Sequence, residues 1–174
     1  RPIKPRQAAL MDTLLPAIAV PDPKAGAVDP RAQMPHAKEV WLEIGFGGGE
    51  HMAAQAARRP DVLVIGCEPF LNGVVGALGH VRDGALSNVR LHMGDALEVI
   101  ERFPDGGLER VYLLHPDPWP KARHHKRRLL QPATMALIAD RLQPGGILHA
   151  ATDHADYAVQ IAESGDGEPG LRRV

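Results

Sequence analysis

The chain has 174 residues, enough for one domain with a substantial core, and its 44% hydrophobic and 24% charged content is globular, not disordered or fibrous. The formal net charge of −1 supplies no global pull toward a polyanion, and no apolar run approaches the roughly 20 residues of a membrane span. A lone cysteine, Cys67, excludes an internal disulfide, and no signal-peptide stretch follows Arg1–Pro5, so a reducing compartment, the cytoplasm, is expected.

Lys4 to Leu15 reads as a short helix with Leu10, Leu14 and Leu15 near one face, and Pro16 to His36 as a Pro-, Ala- and Gly-rich connection. Residues 1–37 are therefore expected to lead into a domain spanning 38–174. There, Glu39–Ile44 reads as a buried strand, residues 45–49 as a glycine turn, and Glu50–Arg59 as a helix stopped by Pro60. A second strand, Val62–Cys67, precedes a weak, glycine-bearing helix over 71–81. Val89–His92 predicts a third strand with a helix over 96–102, and Val111–Leu114 a fourth strand with helix-forming text from Leu129 to Leu142. The Pro144-Gly145-Gly146 turn leads into a fifth strand, Ile147–Ala151, and Tyr157–Glu163 reads as helical. Strands alternating with helices predict an α/β fold: a Rossmann-like, doubly wound, mostly parallel sheet with helices on both faces. Leu171–Val174 reads as the opening of a further strand. Sheets of this type run on beyond this point, so the last strand or strands are expected to be lacking.

The strongest local signal is Glu43-Ile44-Gly45-Phe46-Gly47-Gly48-Gly49, set between a strand and a helix. Glycines at Gly45, Gly47 and Gly49 let the backbone turn sharply and approach a ligand without a Cβ in the way, which points to a nucleotide-type cofactor. A dinucleotide would place its phosphates at the next helix and an acid at the end of the second strand, and Glu68 sits there for either cofactor class. The additional acids favour S-adenosylmethionine. Glu43 can face its cationic methionine part, Glu68 suits two ribose hydroxyls, and Asp95 can accept from the adenine amino group. Capping of the following helix is the plainer role for Glu43 or Asp95, and for Asp95 taken alone it is the better one. Cys67 reads as a small core residue.

The fourth strand ends in His115-Pro116-Asp117-Pro118-Trp119-Pro120, followed by Lys121, Arg123, His124, His125, Lys126, Arg127 and Arg128 with no acid among them. An open α/β sheet binds its ligands outside the carboxyl ends of such strands. Three prolines stiffen the segment and fix Asp117 beside the cofactor. Trp119 serves either as packing or as a stacking surface for a base. The basic run is either a solvated helix start or a polyanion site, and its position favours the second. The adjacent histidines lack the spacing of metal ligands, and no metal is expected.

Taken together, Glu43–Gly49, Glu68, Asp95, Pro116–Arg128 and Thr152-Asp153 with Tyr157 resemble, in order and spacing, the tRNA (guanine-N7-)-methyltransferases, over about Arg1 to Glu163. The glycine motif is shared by many methyltransferases, whereas Pro-Asp-Pro-Trp followed by Lys-x-Arg-His-x-Lys-Arg-Arg is distinctive. The resemblance implies methyl transfer from S-adenosylmethionine to nitrogen-7 of a guanine in tRNA. It implies a cofactor site at Glu43, Glu68 and Asp95, Asp117 at the catalytic centre, and tRNA contacts at Lys121 and Asp153; the basic run, read from its charge, adds Arg123, Lys126 and Arg127 as phosphate contacts. Two departures stand out: no Thr-x-Phe/Tyr-Glu motif is found before Val174, and His115 occupies a position that is usually aromatic in the family. Competing readings are a methyltransferase with another acceptor, a non-catalytic RNA-binding relative and, with least support, a nicotinamide-dependent oxidoreductase.

Overall fold

The computed structural model describes residues 1–174, the side chain of Pro23 excepted. Five parallel strands, β1 (Glu39–Ile44), β2 (Val62–Cys67), β3 (Val89–His92), β4 (Leu108–Leu114) and β5 (Leu142–Ala151), form one sheet in the order β3-β2-β1-β4-β5. The order reverses between β1 and β4, where Trp41–Ile44 pair with Arg110–Leu113. The chain winds outward from β1 through β2 to β3 and then crosses back to β4 on the other side of β1, which opens a crevice at that point, where doubly wound sheets bind their ligands.

Alternation along the strands divides the core. Trp41, Val64, Leu91 and Tyr112 face one side, packed by Met52 and Ala56 of α2 (Glu50–Arg58) and by Val74, Leu78 and Val81 of α3 (Leu71–Asp83). Val40, Leu42, Ile65, Val111 and Leu113 face the other. That side is packed by α4 (Ala96–Ile100), α5 (Pro132–Arg141) and Tyr157 of α6 (Ala155–Asp166). Strands buried on both faces read as continuous apolar runs, and for this reason β1 and β2 are bounded as their sequence predicts.

The N-terminal segment is better ordered than its composition suggests. The first helix, α1 (Pro5–Ile18), runs through Pro16 and lays Leu10, Met11, Leu14 and Leu15 against the α2/α3 side of the core. The connection after it contains 3₁₀ turns at Pro23–Ala25 and Pro30–Gln33. Arg31 pairs with buried Glu109, which also accepts the Val40 N–H at 2.5 Å, so long-range charge pairing orders a segment that lacks periodicity. Helix α5 starts at Pro132, not at Leu129, because a residue before proline is held extended: Gln131 has φ −126° and ψ 169°. The strand expected from Leu171 does not form. Leu171 packs on the core while Arg173 reaches back to Asp166 on α6. No helix is long and apolar enough to cross a membrane.

Candidate active site

At the carboxyl edge, backbone hydrogen bonds join the first three strand ends. Gly45 N–H donates to the Cys67 carbonyl at 2.8 Å, Glu68 N–H to His92 at 3.0 Å and Gly94 N–H to Glu68 at 3.1 Å. Within this frame Gly45, Gly47 and Gly49 have φ of +65°, +58° and +84°, a region that glycine enters without cost. A Cβ on Gly45 or Gly47 would meet nothing within 4 Å, so this exposed backbone borders open space in which a ligand could approach it directly.

The reverse side of the loop is crowded. A Cβ on Gly73 of α3 would lie 2.3 Å from the Gly47 carbonyl oxygen and 3.0 Å from Glu68 Cγ, and one on Gly76 would lie 3.1 Å from the Gly48 oxygen. The glycines that make α3 weak as a helix are therefore what lets it cross directly on the loop. Their spacing of three, which places them on one helix face, was the available signal.

Glu43 and Glu68 are buried, at 4% and 8% exposure, and burial raises both carboxyl pKa values above the ordinary carboxylate range. Neither caps a helix. The Glu43 carboxylate is gripped by Nδ1 of His51, in the first turn of α2. Gln55 donates to His51 Nε2 at 3.2 Å, which leaves Nδ1 to carry the proton given to Glu43. The second Glu43 oxygen has no hydrogen-bond partner among the described residues. Glu68 accepts the Gly47 N–H at 3.1 Å and so holds the glycine loop in place. Asp95 does cap α4, accepting the Leu97 N–H at 2.9 Å through one oxygen. Two buried carboxylates below an open glycine loop, with a third acid on the next strand end, fit a cationic nucleoside better than a pyrophosphate.

Across the switch point, His115 N–H donates to the Ala151 carbonyl at 2.7 Å and ties the β4 and β5 ends together. Asp117 is exposed and its Oδ1 accepts the Trp119 N–H at 3.1 Å, closing a tight turn. His115 and Trp119 adopt φ of +52° and +41°, strained values for residues with side chains. The half-buried Trp119 ring lies under the Arg127 guanidinium at 4.9 Å and meets His124 edge-on at 5.8 Å. Lys121, Arg123, Lys126 and Arg127 are exposed along a 3₁₀ segment, Ala122–Arg127, and Asp153 is exposed just past β5. Arg128 is buried. Hydrogen bonds link Glu43, Glu68 and the glycine loop to their own neighbours, while Asp117, the cations and Asp153 stand on the adjoining strand ends. Among the described residues no group of three His, Cys, Asp or Glu is arranged to hold a metal ion.

A family described as "Putative methyltransferase" matches residues 37–174. A tRNA (guanine-N(7)-)-methyltransferase from a Caulobacter species is 58% identical over 172 residues, covering 99% of this chain and 75% of that protein. The chain belongs to this methyltransferase family. The same-named enzyme of Zymomonas mobilis is 49% identical over 155 residues, or 89% of this chain and 66% of that one. Among solved structures, a precorrin-6y C5,15-methyltransferase from Geobacter metallireducens aligns with TM-score 0.61 at 15% identity, covering 79% of this chain and 67% of that one. The 16S rRNA methyltransferase KamB aligns with TM-score 0.56 at 20% identity, covering 78% and 72%. These two share the fold. Sequence reasoning missed three features of this methyltransferase: the His51 grip on Glu43, the packing of Tyr112, which stacks on His149 at 4.7 Å and meets His51 edge-on at 5.0 Å, and the burial of Arg128.

Proposed function

We propose that the chain binds S-adenosylmethionine along Glu43, Gly45, Gly47, Gly49, Glu68 and Asp95, and methylates nitrogen-7 of a guanine in tRNA with Asp117 at the reaction centre. The observation that carries the reading is 58% identity, over nearly the whole chain, to a relative of that name. S-adenosylmethionine supplies, when bound, an electrophilic methyl group on a sulfonium. The free oxygen of Glu43 offers negative charge to the cationic end of such a ligand. Glu68, already accepting from Gly47, offers its carboxylate to vicinal hydroxyls, and the oxygen of Asp95 not used in capping is left for an exocyclic amine.

The acceptor nitrogen carries a lone pair and no proton, so no general base is needed. The work left to the protein is positioning, which in favourable cases is worth about 7–11 kcal/mol. Asp117 on its proline-braced turn either accepts from the ring N–H and amino group of the guanine or stabilises the positive charge that the purine gains. Exposed Lys121, Arg123, Lys126 and Arg127 supply phosphate contacts, with Asp153 facing the same substrate. Because nitrogen-7 is hidden in the deep groove of helical RNA, the target guanine is unstacked or in a loop. The cytoplasm is the compartment proposed.

The test is transfer of labelled methyl from S-adenosylmethionine to unmodified tRNA, followed by digestion to nucleosides. The expected product is 7-methylguanosine. A different methylated nucleoside overturns the acceptor atom, and label in protein or small molecules alone overturns the tRNA assignment.

A further inference from the structure

We infer that Arg128 is a positioning residue that holds the Asp117 turn against α6, and is not one of the cations that meet nucleic acid. In sequence it is the last member of a continuous basic run, yet its side chain is only 1% exposed, while Lys121, Arg123, Lys126 and Arg127 are open to solvent. Its guanidinium donates in three directions. Nε reaches the Pro118 carbonyl at 2.5 Å, Nη1 reaches Gln160 Oε1 at 2.7 Å and Nη2 reaches Asp156 Oδ2 at 2.8 Å. The group also lies 4.9 Å over the ring of Tyr157, whose hydroxyl accepts the Leu130 N–H at 3.1 Å.

These partners belong to two parts of the edge. Pro118 adjoins Asp117, whereas Asp156, Tyr157 and Gln160 stand in the first turns of α6, directly after Asp153. One side chain therefore registers the turn after β4 against the element that follows β5. The turn needs such a brace, since both His115 and Trp119 hold positive φ and strain of that kind persists only where surroundings over-determine it. Gln131 secures the far end by donating to the carbonyls of Lys126 at 2.6 Å and Arg128 at 2.7 Å. The pairing also marks Asp156, whose carboxyl Arg128 holds below its usual range, with His125 at 3.5 Å. A planar fork with three acceptors in place is preorganised in a way that lysine cannot reproduce.

The inference rests on the preceding reading of Asp117, and its test separates the two. Asp156→Ala removes the exposed partner with little risk to folding, and Arg128→Lys keeps the charge but loses the fork. In both, amide exchange over residues 115–128 should accelerate about tenfold or more while β1–β3 amides are unchanged. The kcat for tRNA methylation should fall about tenfold or more, with KM for tRNA and the salt slope of binding held. A phosphate-contact role predicts the opposite sign for Asp156→Ala, since losing an acid would free Arg128 and tighten tRNA binding. Unchanged exchange in both variants, or tighter binding with undiminished kcat in Asp156→Ala, overturns the inference. A wild-type chain that methylates no tRNA overturns the functional reading instead, and exchange over 115–128 then decides the brace by itself.

Discussion

The ends of β1, β2 and β3 are joined to one another through backbone, by Gly45, Glu68 and Gly94 N–H groups donating to carbonyls of the neighbouring segments. The turn after β4 shares one backbone bond with β5 and is otherwise held by side chains, chiefly Arg128. A loop held mainly through backbone, with Glu68 as its side-chain tie, is indifferent to most other substitutions but intolerant of any Cβ where the chain must pass closely. A side-chain-held turn has the reverse sensitivity: its backbone is ordinary chain forced into strained φ, and a few remote partners keep it there. The cofactor half is thus built to stay fixed, and the substrate half to be set by its supports.

The comparison is tested most severely by removing the reactive group of the second half alone. Asp117→Ala should lower kcat by about 10²–10³-fold, the scale of losing one preorganised electrostatic contact. S-adenosylmethionine affinity by calorimetry should change by no more than about threefold, because the backbone-held half is untouched. Matching losses of turnover and cofactor binding would show that the two halves are not separable. The mirror experiment is Gly73→Ala, which drives a Cβ toward the Gly47 carbonyl. Overpacking of this kind costs about 1–3 kcal/mol, readable by urea unfolding, and cofactor affinity should weaken with it while tRNA binding stays.

How much of this was legible follows the same division. The limits of β1, β2 and β3, the glycine turn and the three acids could be read off because they depend on neighbours in sequence: apolar runs, glycines, and acids at strand ends. The whereabouts of Arg128 could not. Its partners Asp156 and Gln160 lie 28 and 32 positions away, and nothing local distinguishes it from the exposed cations before it. Arg31 and Glu109, 78 positions apart, make the same point for the N-terminal connection. His51 was within reach, eight positions from Glu43 and in the first turn of the next helix, but a histidine in a helix says little until its acceptor is seen.

A smaller effect sharpens the cofactor half. Glu43 is buried, and its folded pKa lies above the ordinary value of 4.5. Between those two values the folded state binds more protons than the unfolded, so stability falls as pH rises through that window and the cost persists at neutral pH. Glu43→Gln should therefore raise the melting temperature of the cofactor-free protein at pH 7.5, by about 2–4 °C, while weakening S-adenosylmethionine binding. In the parent protein that binding should also weaken as pH falls through the raised pKa, since a neutral carboxyl has no charge to offer the cation. A lower melting temperature for the variant would mean that the His51 contact outweighs the burial penalty.

The mildest expected change separates cations within the basic run. Lys126 is exposed and free of ring contacts, so Lys126→Ala should reduce the slope of log K for tRNA against log salt by roughly 0.7–0.9, with a few-fold loss of affinity and no change in kcat. Arg127 is exposed too, but its guanidinium covers the Trp119 ring, two residues beyond Asp117. Its removal should reduce the salt slope by the same increment and also lower kcat, because the turn loses a support along with a phosphate contact. Equal kinetic effects of the two alanines would place the exposed cations on the binding side and leave Arg128 as the chief side-chain support of the turn.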